Sequence, residues 1–174
     1  SRPHLLDLAL SLLRPGDHVV DVGAGSGDFG FGVAARGCAV LAIAASARDA
    51  AALAGRRTQR GFHDLHVVAA AYDMARVDDL VVSFAWPTPT LVRLDVGGAT
   101  ATALDGMAGL LAKTPAPALL ATAEGEAVAP LARRGFALYR VEPGRLVCTE
   151  ASGDGDWLAL RGAPANLPGW EVVA

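Results

Sequence analysis

Residues 21–28, DVGAGSGD, hold the types and spacing best able to do chemistry: a carboxylate, glycines at 23, 25 and 27, then a second carboxylate. Alternate glycines let the backbone take positive φ and let a ligand approach main-chain N–H groups that a Cβ would shield. Asp21 adds an acceptor-only group two residues ahead of the first glycine. A G-x-G-x-x-G turn brings a pyrophosphate onto a helix N-terminus, and carboxylates beside it repel phosphate. Here Asp28 stands where the third glycine of that pattern falls. The loop therefore suits a cofactor with a free amino group and no phosphate, and a nicotinamide nucleotide is disfavoured. The competing reading is a plain strand-to-helix turn. Asp95, at the end of the apolar run 91–96, is the second candidate: a carboxylate beyond a strand's carboxyl end can take a proton from an acceptor hydroxyl, or simply cap the next helix. His4, His18, His63 and His66 form no H-x-x-x-H pattern, and Cys38 and Cys148 no C-x-x-C, so no metal site is expected.

Such a site needs strands that end on one edge of a sheet, and the pattern supplies them. Apolar residues at helical spacing in 3–13 predict a lead-in helix, with Pro3 near its start and Pro15-Gly16 beyond its end. The strand 18–22 and the glycine loop lead into a helix over 28–36 stopped by Gly37. CAVLAI at 38–43 is a continuous apolar run, as in an inner parallel strand covered on both faces. Ser46 and Asp49 read as a capping box for a helix to about Leu53, ended by Gly55. A third strand is expected at 65–70, a short edge strand at 81–84, and a loop through Trp86-Pro87-Thr88-Pro89 near the site mouth, where Trp86 either touches an acceptor or, the safer reading, packs in the core or a lid. Strands at 91–96 and 118–122 bracket a helix carrying Leu104, Met107 and Leu111. The tail reads as antiparallel strands around the turn Glu142-Pro143-Gly144, then a strand at 156–160 and a loosely held end at 163–174.

The chain's 174 residues fit a single domain with a lead-in helix over 1–15. Its 52% hydrophobic content excludes disorder, and its net charge of −3 gives no electrostatic case for nucleic acid or an anionic membrane. No apolar run approaches the roughly 18 residues of a membrane span, so a cytoplasmic protein is expected. A start at Ser1 fits a processed chain or a domain of a longer one, whose other domains would then be partners.

The acid-x-Gly-x-Gly-x-Gly arrangement at Asp21, Gly23, Gly25 and Gly27 resembles the first motif of class I S-adenosylmethionine-dependent methyltransferases. LVRLDVGGATATALDGMAGLL at 91–111 is similar to the stretch of FkbM-type members that reads roughly K-I-D-V-E-G-A-E, followed by L-x-G-A. Segments 117–122, 134–139 and 157–160 follow that family's order of parts, so the resemblance spans residues 16–162. It implies a Rossmann-like class I methyltransferase sheet, mostly parallel with antiparallel closing strands and with helices on both faces. It also implies S-adenosylmethionine as cofactor, its methionine part over Gly23, Ala24, Gly25, Ser26 and Gly27 with Asp21 beside them, and its adenine at Ala71 and Tyr72; the alternatives are an ordinary half-buried aromatic at Tyr72 and, at Asp73, either an adenine partner or a loop acid. Asp95 would be catalytic, in O-methylation of a small-molecule or glycan hydroxyl.

The departures carry weight too. The family's acid after the second strand, which holds the ribose hydroxyls, is absent from Ile43-Ala44-Ala45-Ser46. The two glutamates of the middle motif fall on Gly97 and Thr100, and the acid at the end of the fifth strand falls near Ala121 or Thr122, with Glu124 close by. Losing one charge-assisted bond to a hydroxyl costs about 1.5–3 kcal/mol, or roughly ten- to a hundredfold in affinity. These losses frame the alternative: a degenerate, non-catalytic scaffold or partner-binding domain.

Overall fold

The computed structural model describes residues 2–72, 76–164 and 166–174. Its helices are α1 (Pro3–Leu12), α2 (Asp28–Ala34), α3 (Ala47–Arg60), α4 (Val77–Ser83), α5 (Thr100–Asp105), α6 (Ala108–Leu111) and α7 (Gly125–Val128). The strands are β1 (His18–Val22), β2 (Ala39–Ala44), β3 (Leu65–Ala69), β4 (Leu91–Leu94), β5 (Ala118–Glu124), β6 (Ala137–Glu142), β7 (Arg145–Cys148), β8 (Asp154–Leu160) and β9 (Glu171–Val173). They form one sheet in the order β3-β2-β1-β4-β5-β8-β6-β7-β9. The first five run parallel; β8 is antiparallel to β5 and β6, β7 is antiparallel to β6, and β9 is parallel to β7. The expected Rossmann-like sheet, mostly parallel with antiparallel closing strands, is thus present.

The chain order explains where a ligand can sit. From β1 the sheet grows outward to β2 and β3, then returns to β4 on β1's other side. Connections leave in opposite directions at the β1/β4 boundary, and a crevice opens beyond the carboxyl ends of those strands. Alternate residues of the buried strands feed two cores. Val19, Val40, Leu91 and Leu158 meet α1, α2 and α3 on one face, and Val20, Leu41, Val92 and Trp157 meet α4, α5 and α6 on the other.

Local chemistry sets most element boundaries. Ser46 caps α3, accepting the Asp49 N–H at 3.1 Å while its hydroxyl donates to Asp49 Oδ2 at 2.7 Å. The helix then runs past Gly55, where a Cβ would meet nothing within 4 Å, to a left-handed cap at Gly61. A glycine on a solvent face weakens a helix without breaking it, so the expected end near Leu53 is corrected to Arg60. The expected edge strand at 81–84 is instead the end of α4: Val77 and Val81, four apart, face the core while Val82 is exposed. The single helix expected after β4 is broken into a 3-10 turn, α5 and α6, with Gly106 and Met107 at the break. Within 163–174, Leu167 is buried and β9 pairs with β7.

Candidate functional site

The three glycines of the loop do three different jobs. Gly23 passes under the end of β4, where a Cβ would come 2.0 Å from the Asp95 carbonyl oxygen. Gly27 sits against the cores of α2 and α3, where a Cβ would come 2.3 Å from Leu53 Cδ1 and 2.8 Å from Phe31. Gly25, at φ +53°, is different: its Cβ direction is open, with only the Gly23 carbonyl oxygen at 3.8 Å. The loop is pinned from behind by the Ile43 carbonyl, which accepts the Gly23 and Ala24 N–H groups at 3.1 and 3.2 Å. From outside, Arg56 donates to the Ser26 carbonyl and to Asp28 at 3.4 Å.

Gly25 opens onto a cleft of about 290 Å³, walled by Gly23, Ala24, Ser26, Asp28 and Phe29 on one side and by Arg2, Pro3, Leu5 and Leu6 of the α1 start on the other. Arg93 and Asp95 complete it. Beneath it lies an ionic triad. Arg93 donates from Nη1 to Asp21 Oδ1 at 2.8 Å and from Nη2 to Asp95 Oδ2 at 2.7 Å, with its guanidinium 4.8 Å from the Phe29 ring centroid. Asp21 is fully buried, and burial pushes its carboxyl up from the usual range while Arg93 pulls it back. Its Oδ2 has no hydrogen-bond partner and faces Gly30, where a Cβ would stand only 3.6 Å away.

A second cleft, of about 330 Å³, adjoins the first at Arg2 and lies beyond β4 and β5, lined by Gly97, Gly98, Thr100, Thr122, Glu124 and Asp154. The wall between the clefts is tied down by Asp156 on β8. It accepts from Arg2 Nη1 at 2.5 Å and from the Thr122 hydroxyl at 2.7 Å, with His4 Nε2 at 3.0 Å. Burial works against this carboxylate, but its bonds from Arg2, Thr122 and His4 hold it below the usual range.

The structure therefore gathers Gly23, Ala24, Gly25, Ser26 and Asp95 around one cleft. Gly27 supports it from the packed side, and Asp21 lies under it, touching it only through Arg93. Ala71 is exposed and outside the cleft. Tyr72 lies on the sheet's other face, bordering with Val22, Ile43 and Ala70 a void of about 10 Å³, its phenol pushed up by burial. Asp73 falls outside the described residues. Trp86 is not at the site mouth: it stacks edge-on against His18 and His66, with centroids 5.2 and 5.5 Å away, at the opposite edge of the sheet. Sequence reasoning missed Arg93, although a charge in the middle of a strand buried on both faces demands a partner and was a usable signal. It also missed Asp156, whose partners lie 34 and more than 150 residues away in the chain.

S-Adenosylmethionine fits this geometry on one side. The open Gly25 face is a cradle that a Cβ would fill, with main-chain groups and a carboxylate suited to an amino-acid end. On the nucleoside side, 43–46 offers no carboxylate for ribose. Among the described residues no group of three or more His, Cys, Asp or Glu could hold a metal, and no helix is long and apolar enough to cross a membrane.

No family model and no curated protein matches the sequence. Solved structures match well in shape. The chain is similar to a precorrin-6y C5,15-methyltransferase from Geobacter metallireducens (TM-score 0.65, 15% identity, 92% of this chain and 86% of that one). It is also similar to an rRNA methylase from Streptococcus thermophilus (0.60, 12%, 91% and 93%) and to the 23S rRNA methyltransferase ErmE (0.61, 19%, 94% and 69%). The fold is that of class I S-adenosylmethionine-dependent methyltransferases. These neighbours overturn the expectation of a small-molecule or glycan acceptor with nucleic acid excluded, because enzymes of this fold and size act on rRNA. A net charge of −3 is a sum over the whole chain, and it says nothing about the local field at a substrate site.

Proposed function

We propose that this chain binds S-adenosylmethionine in the glycine-loop cleft and transfers its methyl group to an acceptor held in the adjoining cleft beyond β4 and β5. The observation that carries this reading is the open face of Gly25 at the switch point of a methyltransferase-type sheet. When bound, the cofactor supplies a methyl group on a sulfonium, open to in-line attack. The chain's own residues then align and hold. Gly23, Ala24, Gly25 and Ser26 present main-chain groups to the amino-acid end, and Gly27 keeps the loop tight against α3. Asp21 acts at a distance, fixing Arg93, which in turn fixes Asp95 at the cleft wall. Asp95, on the wall of the glycine-loop cleft, is the group assigned to take the proton from an acceptor that must lose one. Ala71 and Tyr72 stand on the nucleoside side, where Tyr72 would have to shift to admit a ring.

The finer reading, an FkbM-type enzyme that methylates a hydroxyl oxygen, rests on the resemblance of residues 91–111, and a cytoplasmic location goes with it. RNA hydroxyls and bases belong among the acceptors to be screened, as the rRNA methylases of this fold suggest. The missing ribose acid and the nearly closed space at Tyr72 favour a second reading, a degenerate scaffold that has lost the cofactor. Calorimetric titration with S-adenosylhomocysteine separates the two. Micromolar binding supports the enzyme, and no heat at millimolar ligand from a folded sample leaves the scaffold.

A further inference from the structure

Four charged side chains wall the glycine-loop cleft: Arg2, Asp28, Arg93 and Asp95. Following their hydrogen bonds leaves one solvent-exposed guanidinium with donors to spare, since the unpartnered Nε of Arg93 is buried. Arg93, only 12% exposed, commits Nη1 to Asp21 and Nη2 to Asp95. Arg56, which approaches the loop from outside, is spent on the Ser26 carbonyl and Asp28. Arg2 gives Nη1 to Asp156, and its side chain makes no other hydrogen bond among the described residues. Its side chain is half exposed and borders both clefts. A guanidinium has five N–H donors in a rigid planar fork, so Arg2 keeps a free edge at the cleft.

The opposite wall carries the opposite charge, in Asp28. A cleft with a carboxylate on one wall and a free guanidinium edge on the other complements a zwitterion. We propose that Arg2 receives the carboxylate of the amino-acid end of S-adenosylmethionine, and that Asp156 is the positioning residue that holds Arg2 there. This rests on the cofactor reading given above. Asp156 is suited to the task because it is itself immobilised. It lies opposite Thr122 in the β5–β8 register and takes that hydroxyl and His4 as further partners. β5 carries a hydroxyl, Thr122, at this level of the sheet, and β8 supplies the carboxylate opposite it.

Two ligands separate this role from a purely structural one, in which the Arg2–Asp156 pair only anchors the first turn of α1. S-Adenosylhomocysteine has the amino-acid end; methylthioadenosine keeps the nucleoside and thioether and lacks it. Both are titrated calorimetrically into the wild type, Arg2→Ala, Arg2→Lys and Asp156→Asn. Arg2→Ala should weaken S-adenosylhomocysteine about tenfold or more and leave methylthioadenosine within about twofold. Arg2→Lys should recover part of the loss, and Asp156→Asn should shift the same ligand in the same direction by less. Equal weakening of both ligands by Arg2→Ala, or no weakening of either, overturns the proposal. So does a wild type that binds both ligands equally well. A folded wild type that binds neither ligand removes the cofactor reading itself, a different failure from an Arg2 that does not discriminate.

Discussion

Gly25 and Gly16 make a matched pair. Both have positive φ, +53° and +91°, and neither has a neighbour that would clash with a Cβ, the nearest atom being the Gly23 carbonyl oxygen 3.8 Å from the Gly25 position. Alanine at either site pays backbone strain alone, about 1–2 kcal/mol for an L-residue forced left-handed. For a chain of this size that lowers Tm by roughly 2–8 °C. Gly16, which precedes β1 and donates its N–H to the Gly37 carbonyl at 2.8 Å, lies at the far edge of the sheet, whereas Gly25 borders the cleft. A methyl group placed where a ligand packs costs about 1–3 kcal/mol in binding, or roughly ten- to two-hundredfold. Differential scanning calorimetry should therefore show comparable losses for Gly25→Ala and Gly16→Ala, while titration with S-adenosylhomocysteine shows weakened binding for Gly25→Ala alone. Unchanged affinity in Gly25→Ala, or equal loss in Gly16→Ala, would refute the reasoning.

Other perturbations follow from the same geometry. Arg93→Met strands a buried carboxylate at Asp21 and should cost about 3–5 kcal/mol at neutral pH. Burial already raises the Asp21 pKa, and without Arg93 it rises further. The deficit should be full above that raised pKa and shrink as the pH falls through it toward the ordinary carboxylate range near 4, as thermal melts across pH would report. Asp156 has the opposite sign: its folded pKa is depressed, so its contribution is present above about pH 4 and lost as the pH falls further. The Tm gap between wild type and Asp156→Asn should accordingly close toward pH 3 or so. Gly27→Ala drives a Cβ into Leu53 and Phe31 on top of the strain at φ +84°, and should destabilise by more than about 2 kcal/mol in a urea titration. Ala45→Asp returns a carboxylate to the exposed position just past β2 and should tighten S-adenosylhomocysteine by up to about tenfold in calorimetry.

The parallel half of the sheet was legible because its inner strands are largely buried on both faces: β2 reads as an unbroken apolar run, and in β1 and β4 a single charged residue interrupts the valines and leucines. Where local signals misled, packing had overruled them. Val81-Val82-Ser83-Phe84 has β-branched residues that suit a strand, yet Val77 and Val81 share one buried face, a helical spacing seen only when residue 77 is included. Gly55 looked like a stop because a glycine's cost is visible in sequence, while the open solvent around it is not. At the site, the loop and Asp95 could be read from the chain. The Arg93 bridge and the Asp156 node could not, because each joins strands distant in sequence and depends on register. Asp21 shows the limit most clearly: spacing brings it to the loop, but only the fold reveals that it faces Arg93 and not the cleft.

Hydrogen–deuterium exchange of the wild type with and without saturating S-adenosylhomocysteine tests the central claim most directly, because it reports where the ligand sits. Slowed exchange is expected at the glycine loop 22–28, the start of α1, the stretch just after β4 and, on the nucleoside side, around 70–72. Slowed exchange elsewhere with that loop unchanged, or no change anywhere at millimolar ligand, would contradict it.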